Sequence, residues 1–347
     1  TIAMARSNAR CCGVTHVSPE AQRLRRAVVD CIEVAPVIVG CSGGPDSLAL
    51  VASAAWAVPS VGHEVHVVIV DHGLQADSAL VAHNAGDIVR HWGIDNVVIE
   101  RVQVGTQGGP EAAARTARRA ALADVASQRG INQILLAHTR EDQAETVLLR
   151  LARGSGARSI ASMTPCDPPW HRPFLDVPRD VLHRVAREYL EPLGVEAWDD
   201  PHNHDPEFTR VRVREAMTLM EERLGPGFVS GLARSAHLLA DDADALEAWA
   251  QGAFDRWVHV TKGECGVDVE AIAGQPRAVR TRLIRLMHQA VLESEDSLDF
   301  DHVQHVEAMI STWKGQGPAQ LPGAITARVE YGRLTFHRGS SGEMSAT

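Results

Sequence analysis

Val37-Ile-Val-Gly-Cys-Ser-Gly-Gly-Pro-Asp-Ser47, running into Leu48-Ala-Leu-Val-Ala-Ser-Ala-Ala-Trp56, is the stretch whose reading decides the fold. Val37, Ile38 and Val39 form the short β-branched run required of a parallel strand covered on both faces, and the alanine-rich segment after Ser47 reads as a buried helix. Paired glycines between them let the backbone turn sharply and approach a ligand, while the open amides and dipole of the helix start favour an anion. Ser42, Gly43, Gly44, Pro45, Asp46 and Ser47 are therefore the candidate phosphate-binding residues, with Ser42 and Ser47 offering hydroxyl donors. A lone carboxylate beside phosphates repels them unless a cation intervenes, so Asp46 implies Mg²⁺. No Gly-Lys-Ser/Thr follows, which excludes a Walker loop.

Outward from this loop, strand and helix alternate. Ser18-Pro-Glu20 opens a helix ahead of the first strand. Glu64–Val70 is a second strand leading into Asp71-His72-Gly73-Leu74, Asn96–Val102 a third, and Gln133–Ala137 a fourth ending at His138. Helices over about 79–92 and over Glu111–Arg129 separate them. This is the pattern of an α/β doubly wound parallel sheet, Rossmann-like, in which polar residues at carboxyl ends of strands face the ligand. Beyond about Pro178 the chain becomes mainly helical, broken at Pro192, Pro201, Gly225-Pro-Gly227 and Gly274; only Ala324–His337 alternates, around a Tyr-Gly turn, as a terminal hairpin would. The expected division is 1–29 as an extension and first helix, 30–178 as the catalytic domain, 179–225 as a helical junction, and 226–347 as a mainly helical C-terminal domain.

His138-Thr-Arg-Glu-Asp-Gln-Ala-Glu-Thr146 is the second constellation. Thr139 is an N-cap, and Asp142 three residues later completes a variant capping box. On helical spacing His138, Asp142 and Glu145 share one face, and two acids converging near a nucleotide call for a cation, either Mg²⁺ or the ammonium of an amino-acid substrate. Three basic segments accompany them. Arg115, Arg118 and Arg119 ride one helix, where Arg115 suits a phosphate. Arg210, Arg212 and Arg214 alternate, sharing a face only in an extended segment. Arg277, Arg280, Arg282 and Arg285 fall on a helix starting at Pro276, as compatible with a plain surface as with a nucleic-acid contact.

A net charge of −10 over 347 residues argues against a protein that coats nucleic acid uniformly, though not against a local basic face. No run reaches the length of a membrane span, and no signal peptide is evident, so a cytoplasmic protein without membrane contact is expected. The six cysteines include no Cys-x-x-Cys and read as reduced thiols without a zinc site or a disulfide framework.

The Ser42–Ser47 loop resembles the SGGxDS pyrophosphate loop of the N-type ATP pyrophosphatases, which adenylate a carbonyl oxygen and release pyrophosphate. With His138, Asp142, Glu145, Thr146 and Gly154-Ser155-Gly156, the chain resembles the tRNA(Ile)-lysidine synthetase family. Asp71–Leu74, Glu111–Arg119, Arg172-Pro-Phe-Leu175 and Asp199–Asn203 with Arg210–Arg214 extend that resemblance; Gln75 stands where arginine is common, His202 where serine is usual, and Arg140-Glu141 replaces Ala-Asp. The resemblance implies ATP and Mg²⁺ as cofactors, tRNA(Ile) with a CAU anticodon and free lysine as partners, and a homodimer as an open state. It implies lysidine formation through an adenylated tRNA. Asp142 and Glu145 would hold metal or lysine, and Arg115, Arg118, Arg210, Arg212 and Arg214 would meet tRNA or phosphate. The alternatives are another tRNA-modifying or amidating ligase of this loop family, and a nucleotide-sensing RNA-binding protein. A thiolase of the same loop family would ordinarily need the paired cysteines missing here.

Overall fold

The apolar runs fold as strands buried between helices. In the computed structural model, residues 17–33, 36–75, 77–105, 109–293 and 296–339 are described. Cys11 and Cys12 lie outside them. The chain forms two compact units, 1–240 and 241–347, and the division between them falls inside a continuous helix.

In the first unit the elements are α1 (Pro19–Cys31), β1 (Val37–Cys41), α2 (Pro45–Ser60), β2 (Val65–Asp71), α3 (Ser78–His91), β3 (Val97–Arg101), α4 (Pro110–Arg129), β4 (Ile134–Leu135), α5 (Arg140–Leu151), α6 (Ala157–Ile160), β5 (Cys166–Asp167), β6 (Trp170–His171), α7 (Arg179–Leu190) and α8 (Thr209–Leu224). The helix α9 (Phe228–Trp257) carries the unit boundary. The sheet order is β3-β2-β1-β4-β6-β5, parallel throughout except for β5, which forms a short hairpin with β6. The reversal of order on either side of β1 is the switch point at which α/β sheets bind ligands. Alanines dominate α2 because it has four neighbours to fit, packing on β1, β2, α1 and α7 with Leu48 through Ala54 all buried. The four strands read from sequence occupy their expected places, whereas β5 and β6, two residues each, are too short to carry a periodicity.

The second unit holds β7 (His259–Thr261), β8 (Glu264–Asp268), α10 (Val269–Ala273), α11 (Arg277–Val291), α12 (Phe300–Ser311), β9 (Ala319–Leu321), β10 (Ile325–Glu330) and β11 (Arg333–Arg338). The expected hairpin is β10–β11, turned by Tyr331 and Gly332 at positive φ, and it is the centre of a five-stranded antiparallel sheet, β7-β8-β11-β10-β9, packed on α11 and α12. The arginines of α11 are used inside this unit. Arg280 pairs with the buried Glu307, Arg277 bonds Gln304, and Arg285 bonds Leu298 O, which is the structural reading of that cluster. Among the described residues no helix is long and apolar enough to cross a membrane.

Candidate active site

The loop after β1 turns at Gly43, whose φ of +82° strongly favours glycine, and hands the chain to α2 at Gly44, an N-cap that makes no side-chain capping bond. The first amides of α2 are thus open to an anion. Ser47 is committed within the loop: its Oγ donates to Gly44 O at 2.9 Å and accepts from Ser42 N at 3.1 Å. In this arrangement the Ser47 hydroxyl shapes the loop, while Ser42 is the exposed one.

α5 presents the acids. Thr139 and Asp142 form the capping box, with Asp142 Oδ2 accepting from Thr139 N at 2.7 Å and from Thr139 Oγ1 at 2.9 Å. That leaves Asp142 Oδ1 for Arg179, which donates to it at 2.7 Å and to Glu145 Oε1 at 3.2 Å, and whose Nε stands 3.7 Å from Asp46 Oδ2. Glu145 is fully buried; its Oε1 also accepts from Arg214 Nε at 2.8 Å, and Arg210 lies 3.9 Å from Oε2. Burial pushes the Asp142 carboxyl up, but Arg179, His138 and the Thr139 bonds outweigh it and hold the group below the usual carboxylate range. For Glu145, burial and then Asp142 prevail over Arg179 and Arg214 and raise it. Two guanidiniums bond the same oxygen, a charge-assisted arrangement that favours the carboxylate form.

Opposite these acids lies α4. Arg115 and Arg118 are half-buried, line the cavity that includes Ser42, Asp46, Ser47, His138 and Asp142, and pair with no carboxylate among the described residues. Burial, then Arg210 and the neighbouring arginines, push Arg115 down to about 10. His138 sits among them, held well below its ordinary value by burial, with Arg115, Arg118 and Arg172 adding to that against Asp142. A larger adjoining cavity of about 510 Å³ is lined by Ser42, Asp71, His72, Arg115, Trp198 and Phe208 among others, a size that suits a nucleotide.

The structure brings together Ser42–Ser47, Asp46, His138, Asp142, Glu145, Arg115, Arg118, Arg210 and Arg214. It separates Arg119, whose guanidinium stacks on Trp170 at 4.3 Å, and Arg212. The extended segment that would align Arg210, Arg212 and Arg214 is instead the first turn of α8, so Arg210 and Arg214, four residues apart, turn inward, while Arg212 bonds Pro206 O and Glu207 O. Glu141 accepts from Arg179 N at 2.8 Å and so caps α7. Gln75 donates to Asp200 Oδ1 at 3.0 Å and lies 3.4 Å from His202 Nδ1, so the two departures from the family pattern meet each other. Arg179 is the residue that sequence reasoning missed. Its signal is a cation in the first turn of a helix, where the dipole disfavours it.

A family model described as a PP-loop domain matches residues 17–221, and one described as the TilS substrate binding domain matches residues 268–335. The tRNA(Ile)-lysidine synthase of Thermobifida fusca is 47% identical over 312 residues, covering 90% of this chain and 94% of its own length. That of Leifsonia xyli is 46% identical over 303 residues, 87% of this chain and 89% of its own. The enzyme of Mycobacterium tuberculosis is 44% identical over 280 residues, 80% of this chain and 82% of its own. Among solved structures, the U34-tRNA thiolase NcsA of Methanococcus maripaludis, with its 4Fe-4S cluster, superposes with a TM-score of 0.51 at 17% identity, covering 64% of this chain and 79% of that one, a likeness of fold alone.

Proposed function

The chain belongs to the tRNA(Ile)-lysidine synthase family, and from that premise we propose that it joins lysine to C2 of the wobble cytidine of tRNA(Ile) with a CAU anticodon, consuming ATP. The observation that carries the reading is the pair Arg115 and Arg118, two guanidiniums without a carboxylate facing open helix amides across a cavity: an arrangement incomplete until an anion arrives.

ATP lies with its β- and γ-phosphates on the Gly43, Gly44 and Asp46 amides and Ser42, and its α-phosphate toward Arg115 and Arg118. The cytidine C2 oxygen attacks the α-phosphorus and pyrophosphate departs onto the loop. The ε-amine of lysine then attacks C2, and AMP leaves with the oxygen. The arginines neutralise the charge that develops at phosphorus, and the loop fixes the line of attack, so the protein contributes position and electrostatics. Asp142 and Glu145 hold the lysine ammonium from the α5 side, exchanging part of their hold on Arg179 for it.

Asp46 Oδ1 is buried without a hydrogen bond, although His183 Nε2 stands 3.2 Å away, and an orphan carboxylate oxygen beside a phosphate loop fits Mg²⁺. Asp46, with Asp142 near it, would hold the ion, which when bound supplies charge neutralisation at the phosphates.

The deciding experiment incubates the protein with labelled lysine, ATP and unmodified tRNA(Ile) carrying the CAU anticodon. Labelled tRNA and AMP in equal amounts are expected. Absence of lysine transfer, with ATP binding confirmed, overturns the proposal.

A further inference from the structure

Near the amino-terminal ends of β1 and β4, where the β5–β6 hairpin closes the sheet edge, four side chains gather that the ligase reading does not use. Cys166 Sγ lies 3.8 Å from Glu33 Oε1 and 4.0 Å from His171 Nε2, and one ligand atom from each of the three falls within 4.8 Å of the others. Zinc bonds of about 2.0–2.3 Å at tetrahedral angles set neighbouring donors roughly 3.3–3.8 Å apart, so the three need close by at most about 1.5 Å to surround an ion. His171 is almost fully buried, and Gln133 fixes its ring, with Nε2 of the amide 3.2 Å from Nδ1. The same amide donates to Cys31 O at 2.7 Å and accepts from Glu33 N at 3.3 Å, tying both strands of the cluster to one side chain.

We propose that Glu33, Cys166 and His171 form a zinc-type transition-metal site, with water as the fourth ligand, fastening the segment after α1 to the β5–β6 hairpin. Thiolate, imidazole and carboxylate together are the donor set of zinc more than of Mg²⁺ or Ca²⁺, which take oxygen. Binding at Nε2 releases the Cys166 thiol proton to solvent and leaves the ring proton on Nδ1, so the Gln133 amide must turn its oxygen toward the ring, exchanging its bonds to Cys31 O and Glu33 N for one that steadies a metal-bound histidine. The donors come from Glu33 and from Cys166-x₄-His171, more than 130 residues apart, which is why a search for paired cysteines finds no metal motif.

The test titrates the full chain, stripped of metal with a chelator, with Co²⁺. One equivalent is expected to bind with a thiolate-to-cobalt charge-transfer band and the visible bands of tetrahedral cobalt, and zinc should displace it. Cys166→Ser, at an exposed position that costs the core nothing, and His171→Gln should each weaken zinc binding by roughly 10–100-fold or more, and Cys166→Ser should also abolish the band. Asp46→Asn should leave it intact. Cobalt bound without a charge-transfer band, or affinity and band unchanged in Cys166→Ser, overturns the proposal. Neither ATP nor tRNA enters the measurement, so its outcome is independent of the ligase assay.

Discussion

Two sets of arginines border the same carboxyl ends of strands and are held in opposite ways. Arg179 and Arg214, from α7 and α8, close on Glu145 and Asp142 with direct hydrogen bonds. Arg115 and Arg118, from α4, face the phosphate loop with only other arginines and His138 as charged company, apart from the long-range pull of Asp142. The first set is complete as it stands. The second is held by the fold against its own repulsion, and that cost is recovered only when an anion binds. A buried charge removed from a satisfied pair leaves its partner stranded, whereas a charge removed from an unsatisfied group relieves the structure, so the two sets should answer mutation with opposite signs.

The largest effect should come from breaking the satisfied set. Glu145→Ala leaves Arg179 and Arg214 without their shared acceptor and should lower stability by about 3–5 kcal/mol, read from denaturant midpoints. A loss below about 1 kcal/mol would mean that the clasp is only a crystal-like surface pair in energetic terms. Next, Arg118→Ala should cut the rate of AMP formation by roughly 10²–10³-fold, as removal of a preorganised charge does, with the melting temperature unchanged or raised. A lowered melting temperature would show that Arg118 is structural and erase the contrast.

The third prediction concerns pH. His138 titrates below its ordinary 6.5 in the folded chain, so between that value and its depressed one the unfolded chain binds the extra proton. Stability conferred by neutral His138 is therefore complete above pH 6.5 and is lost as pH falls through that window, at up to about 1.4 kcal/mol per pH unit. His138→Asn should flatten the acid limb of a stability–pH curve. Pyrophosphate, placed on Arg115 and Arg118, should screen them and move the His138 titration upward by NMR; no movement would place the anion elsewhere. The smallest effect is expected for Arg212→Ala. Its bonds are exposed and local, so stability should change by within about 0.5 kcal/mol, with lysine transfer retained. Arg210→Ala should not be so quiet, since Arg210 also pairs with Glu111 at 2.7 Å.

What could be read from the sequence follows the range of the interactions. The loop, the four principal strands, the α5 capping box and the β10–β11 hairpin are set by neighbours a few residues apart, and each lies where its pattern predicts. Lone residues that act across the fold left weaker traces. Arg179 meets Asp142 over 37 positions and Arg214 meets Glu145 over 69, distances at which no periodicity survives. The alternation of Arg210, Arg212 and Arg214 carried no secondary-structure information of its own, because the helix it belongs to is decided by packing of Val211 and Met217. Strands β7 to β9 failed to register for a similar reason: three to five residues make too short a window for a period of two.

Asp142 divides its two oxygens between a local cap and a distant guanidinium, and this sets an order of events during folding. The cap closes a loop of three residues, whereas Arg179 arrives across 37. Closing the shorter loop costs less chain entropy, so α5 can aim the carboxylate before its counter-charge is in place. A nascent chain released from synthesis up to about residue 160 would already carry the acid pointed toward the phosphate loop, and the later α7 would lock an orientation it did not create. The centre of the site is in this sense older, on the folding clock, than the arginine that neutralises it.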